Sequence, residues 1–210
     1  MIRIVTIERE YGSGAGLIAR LLADRLGWTL WDEALTQEIA RHLDCEADTV
    51  AEHEERPDPT YYRLFKSFLR GSYEGSLNAP RLRVVDADRI SAASQHVVSE
   101  AAASGKCVIV GRGSAYFLRD RPDVFHVFIY APFDAKVARL MASGESQWEA
   151  THLVETIDRE RAAYIKRYFN ASVEWPARHY FDLMLNSELG DDTVVRTIAS
   201  TIGLLDAEAR

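Results

Sequence analysis

The first 28 residues constrain the fold of this 210-residue chain more than any other stretch. Residues Ile2 to Ile7 are rich in β-branched side chains and have the length of one buried strand. This run breaks at Glu8-Arg9-Glu10-Tyr11 and leads into a turn with glycines at 12, 14 and 16. Apolar residues then recur at helical spacing: Leu17, Ile18, Leu21, Leu22 and Leu26. A strand, a glycine-rich turn and a helix in this order direct backbone N–H groups toward an anion, so the stretch predicts a phosphate-binding loop.

The loop departs from the full phosphate-loop motif G-x-x-x-x-G-K-[ST]. That motif places a lysine on the β- and γ-phosphates and a hydroxyl on Mg²⁺. Here Gly14 is followed by Ala15, Gly16 and Leu17, so neither group is in place. A tight turn with no ligand is therefore the alternative interpretation, and the rest of the chain has to decide between the two.

Composition limits the class of protein. A hydrophobic content of 47% is sufficient for the core of one compact domain, and no apolar run is long enough to span a membrane. The chain enters its first strand directly, so we expect no signal peptide, a cytoplasmic location and reduced Cys45 and Cys107. A net charge of −7 disfavours nucleic acid and anionic membranes as partners. A local arginine cluster would still bind an anionic substrate, and a homo-oligomer stays open.

Strand and helix patterns alternate after the first unit, which predicts a doubly wound parallel α/β sheet. The later strands are expected at residues 28–31, 107–110, 125–131 and 180–186. The later helices are expected at residues 33–43, 90–104, 133–141, 153–169 and 192–205.

Arg112 follows the buried strand at 107–110 and stands between two glycines. Open α/β sheets place their ligands at the carboxyl ends of the strands. A guanidinium at that edge is well placed to bind a phosphate through two hydrogen bonds. The alternative is an arginine that pairs with a nearby carboxylate.

Three further patterns have ordinary explanations. The irregular stretch from Glu52 to Arg89 carries a stripe of aromatic residues that is more typical of packing than of base stacking, and we expect a substrate-covering insertion there. His42, Cys45 and His53 do not match a zinc spacing. The charges of the helix at 153–169 are largely explained by pairs one turn apart on a solvated face.

Six segments in sequence order resemble the nucleoside monophosphate kinases, most closely the cytidylate kinase-like family: IVTIEREYGSG, LADRLGWTLWDEAL, CVIVGRGSAYFL, VFIYAP, DRERAAYIKRYF and FDLMLNS. The resemblance implies a P-loop NTPase-type three-layer α/β/α sandwich with a parallel sheet of about five strands. It implies one domain over residues 1–210, with a substrate-covering insertion at about 32–89 and a lid at about 143–175.

The resemblance also implies roles for individual residues. The loop would bind the ATP phosphates through Gly12, Ser13, Gly14, Ala15 and Gly16, and Ser13 would approach Mg²⁺. Arg112 would hold the acceptor monophosphate, Arg159 and Arg161 would close over the transferring phosphoryl group, and Asp32 and Asp158 would lie on the substrate side. Arg9, or as a second candidate Arg139, is our hypothesis for the cation that replaces the missing lysine.

The implied activity is ATP- and Mg²⁺-dependent phosphorylation of a nucleoside monophosphate such as CMP or dCMP. Departures from the family pattern weaken this reading: Ala15 stands at the lysine position, Gly16 where an arginine is common, and Glu38 where an acceptor-side arginine would fall. Two alternatives therefore remain, a catalytically impaired nucleotide-binding or regulatory protein and a kinase for another small phosphate acceptor. Taken without the resemblance, the sequence supports a phosphate-binding α/β domain with arginines at the strand ends.

Overall fold

The structure is a computed structural model that describes residues 1–42, 87–169 and 175–208. Its strands are β1 Ile4–Arg9, β2 Thr29–Trp31, β3 Cys107–Val110, β4 Val124–Tyr130 and β5 Leu183–Asn186. Its α-helices are α1 Ala15–Leu26, α2 Glu33–His42, α3 Ala87–Ser104, α4 Ser114–Phe117, α5 Phe133–Ala142, α6 Gln147–Tyr168 and α7 Asp191–Glu208. Two short 3₁₀ helices, Arg178–Tyr180 and Ser187–Leu189, flank β5.

The five strands form one parallel sheet in the order β2-β3-β1-β4-β5. The central strand β1 pairs with β3 on one side and with β4 on the other. Since all strands run in the same direction, their carboxyl ends lie at one edge, where the glycine-rich turn and the segment around Arg112 both begin. The predicted α/β class with a parallel sheet of about five strands is confirmed.

The two faces of the sheet are covered by different helices because successive side chains of a strand point to opposite sides. Val5 and Ile7 pack with apolar residues of α1 and α7. Ile4 faces the other way and packs with residues of α2, α3 and α6. The helical hairpin of α5 and α6 adds a third, smaller cluster that encloses Tyr11. This hairpin therefore lies directly against the segment that leads into the glycine-rich turn.

The first strand is shifted by two residues from its apolar run, since it spans Ile4–Arg9 rather than Ile2 to Ile7. It continues through Glu8 and Arg9, which pair with Phe128 and Ile129 of β4, so the predicted break at Glu8 is wrong. Pairing with a neighbouring strand extends β1 beyond the residues whose hydrophobicity marks it. As a consequence, two charged residues are held within the sheet at its carboxyl edge, and both are buried.

Two other boundaries differ for local reasons. Helix α6, in the predicted lid, begins at Gln147 rather than Leu153 because Ser146 and Glu149 form a capping box. The last strand begins at Leu183 because a 3₁₀ turn occupies Arg178–Tyr180.

Part of the predicted insertion lies outside the described residues, as do Cys45, His53 and the aromatic stripe that begins at Tyr61. Among the side chains that the structure describes, no group of three or more His, Cys, Asp or Glu is placed to hold a metal ion. None of the described helices is long and apolar enough to cross a membrane.

Candidate active site

The glycine-rich turn leads into α1 with Gly14 as the residue that precedes the helix. Gly14 has φ 76°, a left-handed conformation that glycine adopts without steric strain. No side chain caps the first turn of α1, and no acidic residue lies in it. The Ser13 hydroxyl is buried and has no hydrogen-bond partner in the described part of the chain. The turn therefore presents an uncapped helix N-terminus and an unpaired hydroxyl, which fits the binding of phosphate oxygens and of an associated Mg²⁺.

Helix α5 brings two cations to this turn. Arg139 Nη1 donates to the Gly12 carbonyl at 2.6 Å, and a Cβ at Gly14 would lie 3.2 Å from the Arg139 guanidinium carbon. Lys136 Nζ lies 3.0 Å from Glu10 Oε2 and 3.3 Å from Asp158 Oδ2. Helix α5 thus supplies positive charge beside a turn that lacks the lysine of the full motif.

Asp158 connects helix α6 to the segment that leads into the turn. Its Oδ1 accepts from the backbone N–H of Tyr11 at 2.7 Å and lies 3.6 Å from Arg161 Nη1. Burial raises the pKa of Asp158, while Arg161, the Tyr11 N–H and Lys136 favour the carboxylate. The sequence placed Asp158 near substrate, and the structure places it against the loop.

Three buried arginines from different parts of the chain meet at the carboxyl edge of the sheet. Arg9 ends β1, Arg112 follows β3, and Arg161 comes from α6, with exposed fractions of 4%, 1% and 6%. Arg161 Nη1 donates to the Arg9 carbonyl at 3.1 Å. We call Arg9, Arg112 and Arg161 the arginine cluster.

The backbone at Gly111 and Arg112 has positive φ angles, and this conformation leaves room for the cluster. Arg112 has φ 62°, a conformation that costs energy in any residue with a Cβ and that occurs preferentially at functional sites. Gly111 before it has φ 64°, and a Cβ there would overlap the Arg9 guanidinium. Gly111 therefore leaves the space that the Arg9 side chain occupies beside Arg112.

Burial and mutual repulsion disfavour the positive charges of the cluster. Burial, together with the charge of Arg9, lowers the pKa of Arg112 to about 9 and that of Arg161 to about 10. Arg9 Nε and Nη2 are buried and have no hydrogen-bond partner among residues 1–42, 87–169 and 175–208. Buried donors without acceptors are costly, so this arrangement favours an anionic ligand.

The structure brings most of the predicted site residues together. Arg9, Arg112 and Arg161 meet in the cluster, and Asp32 at the end of β2 is close enough to raise the pKa of Arg112. Arg159 lies on the exposed face of α6, so the structure does not bring it to the cluster. Ala15 and Gly16 are buried at the start of α1.

Three residues of the site were not predicted from the sequence: Glu8, Glu10 and Lys136. Glu8 lies beside all three arginines, and burial raises its pKa. Alternation along β1 could have indicated it, since Ile4, Thr6 and Glu8 share one face of the strand. Glu10 and Lys136 carried no signal, because their pairing depends on how α5 packs against the turn.

A family profile described as the cytidylate kinase-like family matches residues 4–189. The match includes the glycine-rich turn, the arginine cluster and helix α6. The chain belongs to the cytidylate kinase-like family. Membership supports a phosphotransferase that acts on a nucleotide or another small molecule.

Solved structures share the fold at low sequence identity. An uncharacterized protein from Eubacterium ventriosum is 23% identical with a TM-score of 0.66, and the match covers 97% of this chain and 99% of that one. Shikimate kinase from Bacteroides thetaiotaomicron is 13% identical with a TM-score of 0.54, covering 97% and 99%. Shikimate kinase from Acinetobacter baumannii, solved with shikimate, is 15% identical with a TM-score of 0.52, covering 100% and 96%. No curated protein matches the chain. At these identities the structures establish the kinase fold alone.

Proposed function

We propose that the protein transfers the terminal phosphoryl group of ATP to a nucleoside monophosphate, with CMP and dCMP as the first acceptors to test. The observation that carries this proposal is the arginine cluster. Arg9, Arg112 and Arg161 are buried at the strand ends, next to a glycine-rich turn with an uncapped helix N-terminus. Phosphoryl transfer depends mainly on positioning and on positive charge around the phosphoryl group, and this edge of the sheet supplies both.

The donor phosphates belong on the turn. Backbone N–H groups of residues 12–16 and the N-terminus of α1 would bind them, and the buried Ser13 hydroxyl would approach the metal. Mg²⁺ would neutralise charge that develops on the phosphate oxygens. Arg139 is the cation nearest to the turn that the sequence suggested, and its bond to the Gly12 carbonyl holds it there. It is therefore our first candidate for the role of the missing lysine on the donor side.

The acceptor phosphate belongs on the arginine cluster. Arg112 is held by its strained backbone at the end of β3, and Arg9 fills the space over Gly111. Arg161 reaches the same place from the lid helix and is bonded to the Arg9 carbonyl. One guanidinium from each of three elements would hold the acceptor in line with the donor, and the lid would complete the site when α6 is in place.

The first test is a coupled ADP-release assay with ATP, Mg²⁺ and a panel of nucleoside monophosphates. We expect turnover with CMP and dCMP, and we expect Arg112→Lys to lose it because an ammonium cannot form the paired hydrogen bonds of a guanidinium. Arg196→Ala is the control, since that arginine is exposed on α7 and pairs only with Asp192 among its described contacts. Background ADP release with every monophosphate would contradict the proposal.

The second candidate function is a catalytically impaired nucleotide-binding protein. The sequence at the turn favours it, because Ala15 and Leu17 supply neither the lysine nor the hydroxyl of a full loop. Calorimetry with ATP alone separates the two outcomes of a failed assay. ATP binding without turnover would point to a binding protein or to another small acceptor, and absence of ATP binding would remove the phosphate loop itself.

A further inference from the structure

The arginine cluster contains a carboxylate that the proposed reaction does not use. Glu8 is 7% exposed and lies beside Arg9, Arg112 and Arg161. The backbone N–H of Ala115 supports the carboxylate, whereas Oε1 is buried and has no hydrogen-bond partner among the described residues. A carboxylate that is fixed on one side and unpaired on the other has room for one more hydrogen bond.

Asp158, a partly buried carboxylate nearby, differs from Glu8 in its hydrogen bonds. Both oxygens of Asp158 are engaged, Oδ1 with the Tyr11 N–H and Oδ2 with Lys136. Those donors favour the charged form of Asp158. No described residue donates to Glu8 Oε1, so a proton on that oxygen would break none of the hydrogen bonds that the structure describes.

An anion bound at the arginine cluster would favour the protonated form of the Glu8 carboxylate. The three guanidiniums attract a phosphate dianion, but a charged carboxylate among them repels it. The negative charge of the bound dianion in turn disfavours the charged form of that carboxylate. A proton on Oε1 removes this repulsion and turns the unpaired oxygen into a donor to the phosphate. We propose that Glu8 is part of the anion site and that the site binds a phosphate dianion together with one proton, which Glu8 Oε1 carries.

Most of the groups around Glu8 cannot take up this proton near neutral pH, because they already carry one. Arg112 and Arg161, with pKa values of about 9 and about 10, are already protonated there. Burial raises the pKa values of Tyr116 and Tyr164 above the ordinary value for tyrosine, so both remain neutral. Arg9 is a guanidinium, and Asp32 faces Arg112 from the end of β2. Glu8 and Asp32 are thus the members of this set that can gain a proton, and Glu8 is the more buried of the two, with an oxygen that has no hydrogen-bond partner among the described residues.

The proposal rests on the arginine cluster as the acceptor-phosphate site and deepens that assignment. It predicts that acceptor binding weakens with rising pH by up to about tenfold per pH unit, because each bound dianion requires one proton. Nucleoside monophosphates themselves lose a proton near pH 6, which would obscure the effect. Sulfate avoids this difficulty because it stays a dianion throughout the neutral range.

The test is calorimetric titration of the whole protein with sulfate, and separately with CMP, between about pH 5.5 and 9. Each titration is repeated in buffers of different ionisation enthalpy, which counts the protons taken up. We expect sulfate uptake to reach about one proton within this range. Glu8→Gln should bind sulfate without proton uptake, and its affinity should change less than about twofold over the same range. Glu155→Gln, an exposed carboxylate on α6, should behave like the wild type.

The outcomes separate this inference from the proposed function. Sulfate binding with no proton uptake at any pH would overturn the role of Glu8 and leave the arginine cluster as an anion site. Uptake that persists in Glu8→Gln would also overturn it. If Glu8→Gln does not fold, Asp158→Asn decides: retained uptake supports Glu8, and lost uptake assigns the proton to Asp158 instead. Absence of both sulfate and CMP binding would overturn the anion site and the inference together.

Discussion

The glycine-rich turn and the arginine cluster lie at the same edge of the sheet, yet the cations of the two regions differ in their hydrogen-bond partners. Beside the turn, Lys136 is paired with both Glu10 and Asp158, and Arg139 donates to a backbone carbonyl. In the cluster, the guanidinium of Arg9 retains buried donors with no acceptor in the described part of the chain. The cations of the first region are thus satisfied by carboxylates and a carbonyl, whereas the second, although Asp158 lies 3.6 Å from Arg161, leaves buried donors of Arg9 unsatisfied by the described residues.

The difference bears on which region carries stability and which carries function. A buried charge with partners is tolerated, whereas unbalanced buried charges cost free energy that the rest of the fold must supply. Packed apolar residues around Tyr11 support the paired cations beside the turn. The cluster instead combines unpaired donors with a strained backbone at Arg112. Such strain is expected where a ligand, rather than the protein, completes the interactions.

The largest expected effect comes from Arg9→Ala. Loss of one guanidinium that stabilises developing charge should lower kcat/KM by about 10²–10³. The melting temperature should not fall, because the charge of Arg9 opposes the charged forms of Arg112 and Arg161. Activity and thermal unfolding of the same preparation test both parts, with Arg196→Ala as the control. Undiminished activity would exclude Arg9 from the catalytic set.

Beside the turn, Lys136→Met should lower stability, in contrast to Arg9→Ala. Removal of the lysine leaves Glu10 and Asp158 without their shared cation, and breaking a buried ion pair from one side costs about 3 kcal/mol. Urea unfolding measures this loss, and Lys166→Met on the exposed side of α6 should change stability by less than about 0.5 kcal/mol. Equal stability of the two variants would show that the paired cations are not structural.

The same contrast explains what the sequence could and could not predict. The buried strands β3 and β4 were evident as continuous apolar runs, and Arg112 was evident because it follows β3 directly. The pairing of Lys136 was not evident, because it depends on a hairpin that packs on a turn more than 100 residues earlier, with a sequence separation of 126 to Glu10. Glu8 was missed because hydrophobicity was used to end β1, whereas hydrogen bonding to β4 carries the strand through Arg9. Local pattern thus locates elements and strand ends, but ionic partners come from tertiary packing.

A smaller effect is expected from Gly111→Ala, for which the chain offers a matched control. Gly111 and Gly27 both have φ 64°, but a Cβ at Gly111 would overlap Arg9, whereas a Cβ at Gly27 meets nothing within 4 Å. The left-handed backbone costs both variants about 1 kcal/mol. Crowding should cost Gly111→Ala about 2 kcal/mol more and displace Arg9. Urea unfolding and sulfate titration measure the two consequences, and identical behaviour of both variants would contradict the packing of Arg9 over Gly111.

The smallest effect concerns the pH dependence of stability in Glu8→Gln. Burial raises the pKa of Glu8 in the folded state, so the native protein keeps this proton at pH values where the unfolded chain has lost it. Wild-type stability should therefore fall relative to Glu8→Gln as pH rises above about 4.3, by about 1.4 kcal/mol per pH unit, until the folded pKa is passed. Urea unfolding at a series of pH values measures the difference, with Glu155→Gln as the control. A difference that changes in the opposite direction would mean that the three arginines outweigh burial and that Glu8 serves as their permanent counter-ion. In that case the arginine cluster would balance its charge internally, as the region beside the turn does.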